Sequence, residues 1–204
     1  MHLNTVILPV SLLLVGSTAA PTNGPVKRGE PSVLINNYCD FAVYSWTVQT
    51  GRADQGAPDV IAAKGGRYAK PIVRPNGANP VMKMSREPYL VNENGPQPIF
   101  QLEYGHEPTR VTYDLSDVDC KPAERCPFRN HQHKLLLSPK CPIIGCSEFE
   151  VACRGAYQVA ADNIKMQTCL DPTADVTLDL CLEKSPAGGY DSRRLNDIGI
   201  LPFP

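Results

Sequence analysis

The sequence predicts a mainly β fold, a sandwich of short strands held by disulfides. Three observations carry this: apolar and polar residues alternate in several short segments, Gly- and Pro-rich turns separate them with 20 prolines in 204 residues, and eight cysteines follow an apolar leader. The clearest alternation runs from Ile99 to Cys120. There Phe100, Leu102 and Tyr104 share one strand face and Val111, Tyr113 and Leu115 share one face of the next, while Gln101, Glu103, Thr112 and Asp114 take the other side. Keeping both apolar sets together requires paired residue numbers with an odd sum. The register read here sets Phe100 opposite Leu115, Leu102 opposite Tyr113 and Tyr104 opposite Val111, with His106 to Thr109 as the loop. Glu103 then faces Thr112 and lies diagonal to Asp114, about 7–8 Å away on the polar face. Two carboxyl groups at that spacing suit acid/base chemistry or, equally, a solvated sheet face.

The other elements follow the same logic. Val33 to Asn37 and Phe41 to Val48 read as strands around Cys39, and the second is apolar on both faces, as an inner strand would be. Trp46 is therefore assigned to the core rather than to a binding platform. Val60 to Ala63, Tyr68 to Val73, Val81 to Met84 and Val176 to Leu182 supply further short strands between turns. One helix is expected: Ser147-Glu-Phe-Glu150 forms a capping box, and Phe149, Ala152, Cys153, Ala156, Tyr157 and Ala160 follow at helical spacing, with Gly155 placed to bend or end it.

Residues 1–19 read as a signal peptide, with an apolar core from Val6 to Val15 and small residues before a cut after Ala19. Residues 20–28 end in Lys27-Arg28, which suits a processing protease and reads equally as an exposed linker. A single domain is expected over 29–184, followed by an irregular tail over 185–204. The apolar leader is shorter than the roughly 20 residues a membrane span needs, and no later segment approaches that length. Charge is balanced at 20 Lys plus Arg against 21 Asp plus Glu, which gives no footprint for nucleic acid.

All eight cysteines (39, 120, 126, 141, 146, 153, 169 and 181) lie after Arg28, and their even number points to disulfides in an oxidising compartment. Spacing alone leaves on the order of a hundred pairings open. Zinc is disfavoured because Cys120 to Cys126 and Cys141 to Cys146 lack two-residue gaps. His131 and His133, with His106, offer a possible metal pair but no identifiable acidic third ligand, so neither metal nor cofactor is expected.

Several segments then combine. Ile35-Asn-Asn-Tyr-Cys39, Gly65-Gly66, the strand from Phe100 to Tyr104, Tyr113-Asp-Leu-Ser-Asp-Val-Asp119, Cys153-Arg-Gly-Ala-Tyr-Gln-Val-Ala-Ala-Asp162 and the ending Val176-Thr-Leu-Asp-Leu-Cys181 occur in the order expected of a thaumatin-like protein. With Cys126-Pro-Phe128 and the small size, the chain resembles the fungal thaumatin-like antigens of the Blastomyces yeast-phase-specific family. The resemblance implies a thaumatin-like β-sandwich with a small helix-containing, disulfide-rich lobe and an acidic cleft between them. It assigns Glu103, Asp114, Asp119 and Asp162 to that cleft; the family's cleft arginine has no anchored counterpart, Arg86 being the upstream candidate. It also implies the pairings Cys39 to Cys181, Cys120 to Cys169, Cys126 to Cys153 and Cys141 to Cys146.

The resemblance implies a secreted, wall-associated or cell-surface monomer that binds β-glucan or another wall polysaccharide, or a host-cell or other surface protein, rather than an enzyme. The enzymatic alternative is a weak endo-β-1,3-glucanase with Glu103 as proton donor and Asp114 or Asp119 as base. A separation of about 6.5–9.5 Å would then imply inversion and about 5–5.5 Å retention. The plainest reading makes the same acids a solvated face or an ion-pair network with Arg110, Lys121, Arg125 or Arg129.

Overall fold

The computed structural model describes residues 30–49, 56–72, 79–92, 95–122, 125–148, 153–161 and 164–182. The leader, the dibasic segment, Asp162 and the tail after Leu182 lie outside the described residues. Among the described residues thirteen strands form in chain order: β1 (Ser32–Asn37), β2 (Val43–Gln49), β3 (Asp59–Ile61), β4 (Gly66–Pro71), β5 (Pro80–Ser85), β6 (Val91–Asn92), β7 (Gly95–Pro96), β8 (Phe100–Glu107), β9 (Arg110–Ser116), β10 (Gln132–Leu136), β11 (Ile144–Cys146), β12 (Gln167–Cys169) and β13 (Val176–Leu182). They build a five-stranded sheet in the order β11-β10-β13-β1-β4, a six-stranded sheet in the order β12-β9-β8-β5-β2-β3, and the small pair β6-β7.

The expected sandwich is present. Its core takes Val33, Ile35, Leu178 and Leu180 from one sheet, and Met82, Met84, Phe100, Leu102, Tyr104, Val111, Tyr113 and Leu115 from the other. These are the apolar sets of the alternation argument. β1 lies between β13, which it joins in parallel, and β4, which it joins antiparallel. Asn37, fully buried, ties this sheet to the loop before β4: its side-chain amide donates to the carbonyls of Phe41, Ile61 and Ala62.

The sheet that carries the acids is also apolar on part of its outer face. Trp46 is buried, as expected, but it packs with Leu90 and Ile99, flanked by Tyr44 and Val48, in a cluster separate from the inter-sheet core. The two apolar faces of β2 thus serve two different cores. β10, β11 and β12 were not legible as strands, because each is short and mixes polar, cysteine and histidine positions.

Two expectations are corrected. The helix after Ser147 does not form over the described residues 153–161, which are turns joined by one bridge, Tyr157 to Ser116. Gly155 shows why: a Cβ there would meet Ile144 Cγ2 at 2.7 Å, so the segment is pressed against β11 rather than coiled away from it. The second correction concerns the cysteines. Cys39 pairs with Cys181, but the other pairs are Cys120–Cys126, Cys141–Cys169 and Cys146–Cys153. Packing explains the exchange at Cys141: the Tyr113 hydroxyl donates to the Pro142 carbonyl, and β12 pairs with β9 at Gln167 opposite Tyr113, which brings Cys169 to Cys141.

Candidate functional site

Sheet register builds the site. β8 and β9 pair with Glu103 directly opposite Asp114, Leu102 opposite Leu115 and Tyr104 opposite Tyr113. The odd sum holds, as burial demands, but the pairing is two residues away from the one inferred. The strands run on to Glu107 and Arg110, leaving a two-residue turn at Pro108 and Thr109. Arg110 closes it with two hydrogen bonds to the Glu107 carboxylate, at 2.9 and 3.1 Å. Opposite charges flanking a two-residue gap were the available cue.

Paired residues point to the same face, so the outer face of this sheet reads in rows across its strands. Val48, Val81, Glu103 and Asp114 form one row, and Trp46, Lys83, Gln101 and Ser116 the next. On the same face, in the row beyond Glu103 and Asp114, Thr112 faces Gly105, where a Cβ would meet Thr112 Oγ1 at 2.6 Å and Asn79 Oδ1 at 2.7 Å. The missing side chain therefore admits the Asn79 amide into the floor. Over these rows lies a cleft of about 400 Å³, lined by Asn79, Gln101, Glu103, Tyr104, Gly105, Thr112, Asp114, Ser116, Val118, Tyr157, Ala160 and Met166.

Its far wall comes from the segment expected to be a helix. The Tyr157 amide donates to the Leu115 carbonyl and the Asp117 amide to the Tyr157 carbonyl, so this stretch runs beside the end of β9 and sets the tyrosine at the cleft. Gln158 secures it with a 3.0 Å hydrogen bond to Asp117. Each disulfide that differs from the expected pairing steadies a cleft border: Cys146–Cys153 holds the Tyr157 segment, Cys120–Cys126 the loop with Val118, and Cys141–Cys169 the edge strand β12 after Met166.

The acids are not equivalent. Asp114 is 7% exposed, and its Oδ1 has no hydrogen-bond partner among the described residues. Burial, and then the neighbouring Glu103, push its carboxyl up to about 7. Glu103 is also raised by burial, with Lys83 opposing the shift and Asp119 adding to it. Asp119 itself is exposed at the rim and forms a 3.0 Å salt bridge with Lys83. The structure thus brings Glu103 and Asp114 together and puts Asp119 at the edge.

Among the described residues no arginine lines the cleft, and the cation beside Glu103 is Lys83, which no sequence motif singles out. Arg86 lies elsewhere. Its guanidinium rests 3.7 Å from the Phe41 ring centroid, and Nε donates to the Pro127 carbonyl at 2.7 Å. The histidines do not gather either: His131 meets Phe41, His133 meets Phe100, and His106 Nε2 lies 2.6 Å from the Pro172 carbonyl. Two clusters of metal-ligand atoms exist among the described residues, His133 with Cys146 and Cys153, and Asp117 with Cys120 and Cys126, but their sulfurs are in disulfides.

A family model described as Blastomyces yeast-phase-specific protein matches residues 28–182. The chain belongs to that family. A curated relative, the antigenic thaumatin-like protein of Arthroderma benhamiae, is 27% identical over 190 residues, covering 92% of this chain and 88% of its own. Among solved structures, the protein elicitor MoHrip2 from Magnaporthe oryzae superposes at a TM-score of 0.57 with 18% identity, over 74% of this chain and 98% of its own. The thaumatin-like xylanase inhibitor TLXI reaches 0.47 with 12% identity, over 74% and 99%. The two packed sheets and the thaumatin-like relative that matches 92% of the chain make the fold a thaumatin-like β-sandwich, and its described residues contain no helix long and apolar enough to cross a membrane.

Proposed function

We propose that the chain is a secreted or cell-surface thaumatin-like protein that binds a neutral wall polysaccharide, a β-glucan, in the Glu103/Asp114 cleft without cleaving it. The observation that carries this reading is the direct cross-strand pairing of Glu103 and Asp114 on the floor of an open cleft. Like charges in that position oppose folding, so the pair makes sense where a ligand uses it. With Asp114 titrating near 7, the pair offers a hydroxyl-rich ligand both a donor and an acceptor. Tyr157, half-buried in the wall, supplies an aromatic face of the kind on which a sugar ring stacks. Four disulfides, together with a curated relative named as antigenic, fit an extracellular site of action.

A hydrolytic reading has one observation in its favour. Two carboxyls with different affinities for a proton are what glycoside hydrolysis requires. The roles would reverse relative to the sequence reading, with Asp114 as the acid and Glu103 as the ionised partner. Directly opposed residues have Cβ atoms about 4.5–5.5 Å apart, which crowds the water that an inverting mechanism needs between its carboxyls.

Titration with soluble β-1,3-gluco-oligosaccharides, with reducing ends assayed in the same samples, separates the two. Saturable binding without new reducing ends is expected. Sugar release that disappears in Asp114→Asn would replace binding by hydrolysis, and no interaction at millimolar oligosaccharide would remove the glucan reading.

A further inference from the structure

We propose that the floor of this cleft is a calcium site, in which Glu103 and Asp114 hold a divalent cation with help from the Asn79 amide oxygen and the Thr112 hydroxyl. The inference goes beyond carbohydrate binding and is tested without any carbohydrate. Two carboxyls alone would not carry it. The second observation is Asp114 itself, which is 7% exposed, lines the cleft, and has an Oδ1 with no hydrogen-bond partner among the described residues. A buried carboxylate oxygen without a partner costs free energy that a bound cation would recover.

The donor set points to the metal. The polar side chains of the cleft lining beside the pair offer oxygen: Asn79 Oδ1 and Thr112 Oγ1 both reach the space over Gly105, and Gln101 and Ser116 occupy the adjoining row. Among the described residues no thiolate or imidazole lines the cleft, and its one sulfur is the half-exposed Met166 thioether at the border, a donor set that disfavours zinc. Calcium accepts six to eight oxygens in irregular geometry and tolerates water among them, whereas magnesium demands a compact octahedron. Lys83 from β5 is shared between Asp119, with which it forms the salt bridge, and Glu103, whose charge it partly offsets, while Asp114 is influenced by burial and Glu103. Gly105 has a role here as well, because any larger residue would displace Asn79 from the floor.

Terbium serves as the probe, since Tyr104 and Tyr157 in the lining can sensitise its emission. The purified protein should give saturable terbium luminescence that calcium displaces with a midpoint of about 0.1–1 mM, the range of extracellular calcium modules. Asp114→Asn and Glu103→Gln should each weaken calcium at least about tenfold while still unfolding cooperatively at a Tm no lower than that of the wild type. Asn79→Ala, which removes no charge, should weaken it by a smaller factor, on the order of three-fold, as loss of one neutral ligand does. Absence of saturable emission would overturn the proposal. So would emission unchanged in both carboxyl variants, because the metal would then sit elsewhere. Neither result bears on glucan binding measured in calcium-free buffer.

Discussion

Asp114 is where burial, charge and chemistry meet. Its folded carboxyl titrates near 7 while an unfolded one titrates near 3.8, so between those values the native state holds the extra proton. Stability from this group is therefore full below about pH 4 and is lost as pH rises through 7. Asp114→Asn should accordingly raise Tm by at least about 3 °C at pH 8 and leave it unchanged at pH 4, measured by calorimetry. A drop in Tm at both pH values would mean that Asp114 is a structural group with partners in the fold. At this scale the sequence was informative about which residues share a face and blind to how they differ. Glu103 and Asp114 were legible as polar-face partners of two apolar strands. That Asp114 is the more deeply buried acid, and that Lys83 engages Asp119, depended on loops and neighbouring strands whose packing no local pattern encodes.

Among elements, the β8–β9 hairpin separates what pattern determines from what it leaves free. Burial demands an odd residue sum, and two neighbouring registers satisfy it equally; the choice between them rests on the turn and on the Glu107–Arg110 pair. The shift of two residues replaces a diagonal pair of acids with a direct one, which changes the chemistry available to the site. The helix failed for a different reason. Its apolar spacing was sound, but Cys146–Cys153 closes the segment into a short loop and Gly155 is packed on Ile144, so long-range contacts outweighed local preference. This yields a prediction at the same scale. Replacing Cys146 and Cys153 by Ser should loosen the Tyr157 wall, weakening oligosaccharide about five- to tenfold by titration while the sandwich still unfolds cooperatively. Unchanged affinity would remove Tyr157 from the binding account. Gly105→Ala should act on the opposite side of the cleft, weakening the ligand by displacing Asn79 and lowering Tm by about 2–4 °C for each kcal/mol of strain.

The whole molecule is a two-sheet sandwich whose ends are joined by one long-range bridge and whose cleft borders are held by three shorter ones. Cys39–Cys181 spans 142 residues and Cys120–Cys126 spans six. On chain-entropy counting these are worth about 5 and about 2 kcal/mol. Serine replacement of the first pair should therefore lower Tm far more than replacement of the second; equal losses would show that native packing, not chain closure, sets the contribution. Sequence made the sandwich legible because alternation in the long strands fixes the core, and it made the end-to-end bridge legible through family resemblance. The remaining bridges were misassigned because they depend on where β11, β12 and the Tyr157 turn pack, and those short pieces carry no periodic signal.

We propose the opposed acids as a ligand face rather than a feature of the fold. The most direct test is a pull-down of the wild-type protein and the Glu103→Ala/Asp114→Ala variant on insoluble β-1,3-glucan, with chitin in parallel and the Tm of both proteins recorded. Wild type should be retained on glucan, the double variant should be lost to the supernatant at least about tenfold more, and its Tm should be equal or higher. Equal retention of both proteins, or a double variant that no longer folds, would contradict it.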